Sequence, residues 1–253
     1  MKTAILVLDI GNTSVSIGLF RKDAIVHRSY LKGARAKAEE IDRALGKAVK
    51  GYRIEGVCLA SVAPSRNQRW LLRVAAFNQG PVVEVNHRHS LGIPITYAKP
   101  ETIGADRLAN AAGGARRYGS PLIIADFGTA VTFDLVTKPA GYIGGIIAPG
   151  LPLMFDYLAE KTEKLPHLQP RPTAASHGRT TVEAMQLGAQ WGYRGMVKEI
   201  LAQVRKHPDL RRSKLIATGG YARWVVDGLT PRMTVDDDLT LYGLGCIYRL
   251  NAS

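Results

Sequence analysis

The sequence predicts an α/β fold duplicated into two similar halves, and three observations point to it. Residues 5–19 (ILVLDIGNTSVSIGL) and 122–134 (LIIADFGTAVTFD) repeat one order: apolar run, aspartate, any residue, glycine, hydroxyl or amide residues, second apolar run. The two aspartates, Asp9 and Asp126, lie 117 positions apart (126 − 9) in a chain of 253 residues, the spacing expected of a duplication. Helical periodicities alternate with short apolar runs in each half, as in sheets covered by helices. The halves are expected at residues 1–115 and 116–253, with a cleft between them suited to a nucleotide.

In the first half, residues 24–30 extend the opening hairpin into a meander. Residues 36–49 set Ile41, Leu45 and Val49 on one face opposite charged residues, an amphipathic helix. Residues 56–62 (GVCLASV) read as a buried strand parallel to the first, because a helix intervenes. Ser65 is expected to cap a helix running to residue 77, and residues 81–85 give a further strand. The loop-rich stretch 87–102 holds His87 and His89; without a third ligand they read as surface loop rather than metal site. Pro100 and Thr102 suit the start of a small-residue helix over 103–115, with Asp106 and Arg107 in its first turns. An acid beside an arginine at a helix N-terminus is expected to stay ionised, and the pair can orient a hydroxyl and an acid group of a substrate. A surface ion pair is the alternative.

The second half opens on the second hairpin. Residues 141–150 (GYIGGIIAPG) predict a strand in which Gly144 and Gly145 mark a bulge or a close approach. A helix over 151–159 and an irregular, proline-bearing loop over 161–177 follow. Thr180 or Thr181 is expected to cap a long helix to about residue 205, where Gly188, Gly192 and Gly195 favour close helix packing. Residues 214–220 (KLIATGG) predict a strand and a paired-glycine turn against which an adenine or ribose can lie. A helix over 239–250 closes the chain.

The repeated hairpin has the chemistry of a phosphate site. Gly128 lets an anionic group approach the main chain. Thr129 and Thr132 offer hydroxyl donors to phosphate oxygens, and Asp126 can hold a cation that screens them. The formal charge of +13 favours anionic partners, yet the basic residues are scattered, without aromatic interleaving or a nucleic-acid-binding signature. No apolar run is long enough for a bilayer and the N-terminus lacks a signal-peptide layout, so no membrane association and a cytoplasmic location are expected. Cys58 and Cys246 are expected to be buried thiols.

Five stretches, DIGNT (9–13), PETIGADRLAN (100–110), DFGTAVTFD (126–134), GGIIAPG (144–150) and ATGG (217–220), together resemble type III pantothenate kinases over nearly the whole chain. The resemblance implies the duplicated actin-like, ribonuclease H-like ATPase fold of the acetate kinase, sugar kinase and actin superfamily. It implies ATP-dependent phosphorylation of pantothenate, the first step towards coenzyme A. By that resemblance Asp106 is the catalytic base, and Tyr97, Gly104, Ala105 and Arg107 contact pantothenate. Asp9, Ile10, Gly11, Asn12 and Thr13 form the first ATP motif, with Asp9 near Mg2+. Thr129 and Thr132 belong to the second motif, Gly219 and Gly220 to the adenosine motif. Asp126 is similar to the ligand of a monovalent cation, K+ or NH4+. The threonine of the pantothenate site best matches Thr181, with adjacent Thr180 left open, and the family implies a homodimer. The loop KTEKLP (161–166) departs from the family pattern in carrying more charge. The alternative reading is a non-catalytic regulator of the same fold that binds nucleotide or nucleic acid. The intact Asp9, Asp106 and Asp126 argue against it.

Overall fold

A computed structural model describes residues 1–32 and 36–252. The first apolar run forms β1 (Lys2–Ile10), and the chain returns antiparallel as β2 (Ser14–Arg21). A turn at Lys22 and Asp23, both with positive φ, leads into β3 (Ala24–Lys32), antiparallel to β2. The amphipathic helix α1 (Ala38–Val49) buries Ile41, Leu45, Ala48 and Val49, the stripe its spacing predicts. β4 (Tyr52–Ser61) starts at residue 52 rather than 56 and lies parallel to β1. After α2 (Pro64–Val74), β5 (Val82–Glu84) adds parallel to β4, giving the strand order β3-β2-β1-β4-β5.

Leu6, Leu8, Val15 and Ile17 of this sheet share a core with Ile41, Leu45, Trp70 and Val74. Ser65 does not cap α2. The helix begins one residue before it, after Ala63, and no side chain caps that end. The small-residue helix α3 (Ala105–Tyr118) follows a 3-10 turn at Pro100–Thr102. It packs closely on α8 (Leu239–Asn251): a methyl group added at Gly113 would lie 3.0 Å from the Gly243 Cα. Cys58 and Cys246 are buried free thiols, as expected.

The second sheet repeats the first. β6 (Leu122–Phe127) and β7 (Ala130–Thr137) form the antiparallel hairpin, and β8 (Gly141–Pro149) follows. β9 (Lys214–Thr218) lies parallel to β6 and β10 (Thr234–Val235) parallel to β9, so the order is β10-β9-β6-β7-β8. Matching β6 to β1 makes the two orders identical strand for strand, the duplication expected from the hairpin spacing. Helices α4 (Leu151–Lys161) and α7 (Ala222–Val226) accompany this sheet.

The helix expected over about 180–205 is interrupted. α5 (Thr181–Gly188) passes through a π-helical turn, Ala189–Tyr193, into α6 (Arg194–Val204). Its glycines are not packing contacts within the chain. A methyl group added at Gly188 or Gly195 meets nothing within 4 Å, and one at Gly192 meets only Met154 Cε at 4.0 Å. All three glycines are exposed.

The chain divides into two compact units. One comprises Met1–Gly119, Ala140–Ile143 and the stretch from Asp238 onward; the other comprises Ser120–Pro139 and Gly144–Asp237. The first sheet with α1, α2, α3 and α8 belongs to the first unit. The hairpin β6–β7, α4 to α7, β9 and β10 belong to the second.

Candidate active site

At the start of α3, Gly104 is the residue before the helix and Asp106 sits in its first turn. The Asp106 carboxylate bends back, and its Oδ1 accepts the Arg107 main-chain N–H at 2.8 Å. Asp106 is only partly exposed, and the surrounding protein pushes its pKa above the ordinary aspartate value. Burial is the largest cause; the Arg107 N–H, the Arg107 charge and the N–H of Asp106 itself oppose it. Desolvation by the surrounding protein thus outweighs the adjacent arginine, and the acid ionises less readily than an exposed aspartate. A carboxyl poised upward in this way is suited to accept a proton.

The surface ion pair is also excluded by placement, because Arg107 is only 8% exposed. Its guanidinium lies 6.0 Å from the ring centre of Tyr142, and Tyr97 meets the same ring edge-on at 6.2 Å. Tyr97, Asp106 and Arg107 thus gather around the start of α3, with Tyr142 as a member that no local motif marks.

The turn of the first hairpin closes through Gly11, whose N–H donates to Ser14 O at 2.9 Å. Asp9 is half-buried at the strand end, Ile10 is buried, and Asn12 and Thr13 are exposed. Arg66 braces this turn, its Nη1 donating to Gly11 O at 3.2 Å and Asn12 O at 2.9 Å. Sequence reasoning missed Arg66, since nothing nearby distinguishes it from the other basic residues of α2.

On the second unit, Asp126 stands directly opposite Thr132 across the hairpin and beside Thr218 of β9. This turn closes differently, with Gly128 N–H donating to Ala130 O at 3.0 Å. Thr129 is exposed, and its carbonyl accepts the Gly150 N–H at 3.0 Å. Gly219 has φ +90, and a methyl group there would lie 2.5 Å from Asp126 Oδ1 and 2.7 Å from the Phe127 backbone. Asp126, Thr129, Thr132 and Gly219 therefore cluster at one end of the second sheet, with exposed Gly220 following.

Thr180, the helix cap, accepts the Glu183 N–H at 3.2 Å, while Arg179 N–H donates to the Glu183 carboxylate at 2.8 Å. Thr181 begins α5 and lines an apolar pocket of about 390 Å³ with Met154, Phe155, Leu158, Leu165 and Met185.

No group of three or more His, Cys, Asp or Glu side chains converges among the described residues. His89 instead accepts the Asn86 N–H through Nδ1 at 3.2 Å. The carboxylates of Asp9 and Asp126 are hard oxygen donors, suited to cations that share oxygen ligands with a bound phosphate.

Residues 5–203 match the family model of type III pantothenate kinase. The chain belongs to the type III pantothenate kinase family. A type III pantothenate kinase from Akkermansia muciniphila is 39% identical over 250 residues, covering 97% of this chain and 98% of that one. Among solved structures, a conserved protein described as a Baf family transcriptional activator, from Campylobacter jejuni, aligns with a TM-score of 0.60 at 17% identity. That alignment covers 96% of this chain and 97% of the other. MreB5 of Spiroplasma citri bound to ADP aligns with a TM-score of 0.54 at 10% identity, covering 97% and 96%. These two likenesses establish the actin-like fold of this type III pantothenate kinase family member. The hairpin residues, the Asp106 region and Thr181 all fall within the matched stretch; Gly219 and Gly220 follow it. No helix among the described residues is long and apolar enough to cross a membrane.

Proposed function

We propose that this chain transfers the terminal phosphoryl group of ATP to the primary hydroxyl of pantothenate, the first step of coenzyme A synthesis. The observation that carries the reading is the Asp106 carboxyl, half-buried at the start of α3 in a chain of this family. Phosphoryl transfer has a loose transition state, so catalysis rests on positioning and charge neutralisation. Because Oδ1 is engaged by the Arg107 N–H, Oδ2 of Asp106 takes the alcohol proton as the new O–P bond forms. Arg107 and Tyr97, with Gly104 and Ala105 and with Thr181, are assigned to pantothenate. Asp9 to Thr13, Thr129 and Thr132 are assigned to the ATP phosphates, and Gly219 and Gly220 to the adenosine.

Asp9 would hold Mg2+ and Asp126 would hold K+ or NH4+, and these ions would supply positive charge against the triphosphate. Asp126 and Thr132 stand opposite each other across the hairpin for that task. The active form is assigned as a homodimer in the cytoplasm.

Release of ADP, measured with and without pantothenate in potassium and in sodium buffer, tests the reading. Turnover should require pantothenate and run faster in potassium. ADP release indifferent to pantothenate overturns it.

A further inference from the structure

Tyr142 lies outside every motif assigned above, yet it is fully buried, at 0% exposure, where two of the residues assigned to pantothenate converge. Its ring receives the edge of Tyr97 at 6.2 Å, interplanar angle 64°, and carries the Arg107 guanidinium at 6.0 Å. An edge-on aromatic contact and a cation above a ring face both favour one orientation over others. The ring thus restrains two side chains from different elements, one in a loop and one on a helix.

The backbone of Tyr142 does the same for the loop. Thr96 N–H donates to Tyr142 O at 2.9 Å, and Tyr142 N–H donates to Pro94 O at 2.9 Å. Thr96 Oγ1 adds donation to Ala140 O at 3.1 Å. Ile95 and Tyr142 therefore pair as an isolated parallel bridge that fixes the residues leading into Tyr97. Gly141 has φ +68, a conformation a side chain resists, so the bridge also depends on its neighbour being glycine. All of these residues belong to one compact unit, which accounts for the short stretch 140–143 being part of it.

We infer that Tyr142 is a positioning residue for the acceptor substrate: its ring sets the Arg107 guanidinium and the Tyr97 ring, and its main chain sets the approach to Tyr97. The inference rests on the assignment of Arg107 and Tyr97 to pantothenate, and it concerns acceptor recognition, with ATP recognition left to other residues. Removing the ring frees Arg107 and Tyr97 to leave the geometry that an anionic, hydroxyl-bearing acceptor requires.

The test is steady-state kinetics of the full chain and of Tyr142→Leu and Tyr142→Phe, with thermal midpoints measured in parallel. For Tyr142→Leu the KM for pantothenate should rise about five- to ten-fold, a size in keeping with loss of an aromatic and a cation–π contact. The KM for ATP should stay within about two-fold, and Tyr142→Phe, which keeps the ring, should recover most of the pantothenate KM lost in Tyr142→Leu. An unchanged pantothenate KM in Tyr142→Leu overturns the inference. So does an equal rise in both KM values, or a phenylalanine variant as impaired as the leucine one. If Tyr142→Leu does not fold, Tyr142→Met, which fills the volume without a ring, is read by the same criteria. A parent chain inactive on pantothenate counts against the proposed function, whereas an active parent with indifferent variants counts against Tyr142 alone.

Discussion

Gly104 and Asp106 are so close that a methyl group added at residue 104 would lie 2.5 Å from Asp106 Oδ1. The carboxylate occupies the space that any other residue at 104 would fill, and that placement lets it fold back onto the Arg107 N–H. Asp106→Asn keeps this shape while removing the proton acceptor. Its kcat should fall by about 10²–10⁴-fold, the range for loss of a general base. Near-parental turnover in a coupled ADP-release assay would remove Asp106 from that role.

The same substitution has a stability consequence of defined sign. The folded pKa of Asp106 is raised, mainly by burial, above its unfolded value. Its contribution to stability is therefore fully present below the unfolded pKa and lost as pH rises through the folded one. At neutral pH the buried charge is a cost, so Asp106→Asn should raise the thermal midpoint there, and the gain should vanish on acidification. A base must also be deprotonated to act. The acid limb of kcat/KM for pantothenate should accordingly lie above the ordinary aspartate pKa. A limb at that ordinary value, or a lower midpoint for the variant at neutral pH, contradicts the assignment.

These features differ in how far the sequence revealed them. Both hairpins, the stripe of α1 and the start of α3 were legible because each depends on residues within a few positions: an apolar run, a turn glycine, a helical spacing. The even spacing of Asp9 and Asp126 made the duplication legible as well. What was hidden depends on partners far along the chain. Arg66 braces a turn more than fifty positions away, and Tyr142 joins Tyr97 to Arg107 across a bridge with no local pattern. Nor does the hairpin repeat reveal that its turns close differently, Gly11 onto Ser14 and Gly128 onto Ala130. The upward direction of the Asp106 pKa was hidden for a related reason: Arg107 is visible beside it in the sequence, whereas the protein packed around it is not.

Thr180 and Thr181 are adjacent and do different work. Thr180 caps α5 through Glu183 N–H, so Thr180→Ala should destabilise the fold by about 1 kcal/mol and leave the pantothenate KM nearly unchanged. Thr181 is exposed in the first turn, so Thr181→Ala should leave the thermal midpoint in place and raise that KM several-fold. Thermal melts and kinetics on both variants decide the matter. The reverse pattern would move the substrate contact to Thr180.

Gly219 adopts φ +90 directly against Asp126 and Phe127. In Gly219→Ala the side chain faces both a disfavoured backbone region and a contact with main chain, which together cost about 1–3 kcal/mol. Because the displaced neighbour is Asp126, the KM for ATP should rise and the potassium response weaken before the fold is lost. Titration of the activation by potassium measures this directly. An alanine variant with parental ATP and potassium responses would separate Gly219 from both roles.

The exposed apolar side chains of the second unit bear on the homodimer. Leu153 and Tyr157 of α4, Val182 of α5 and Trp191 of the π turn are 39–61% exposed, and exposed Gly188, Gly192 and Gly195 run along the same helical stretch. Exposed apolar side chains on neighbouring helices are candidates for cover by a partner, and small residues beside them let a second backbone approach closely. In the proposed homodimer that partner is another copy of this chain. The parent should run at twice the chain mass in light scattering. Trp191→Glu sets a charge within the apolar surface, which is costly to bury, and should shift the mass to that of one chain. Its thermal midpoint at high dilution should change little, since Trp191 is 55% exposed in the single chain. A parent of single-chain mass, or a Trp191→Glu variant that keeps the double mass, places the contact elsewhere or removes it.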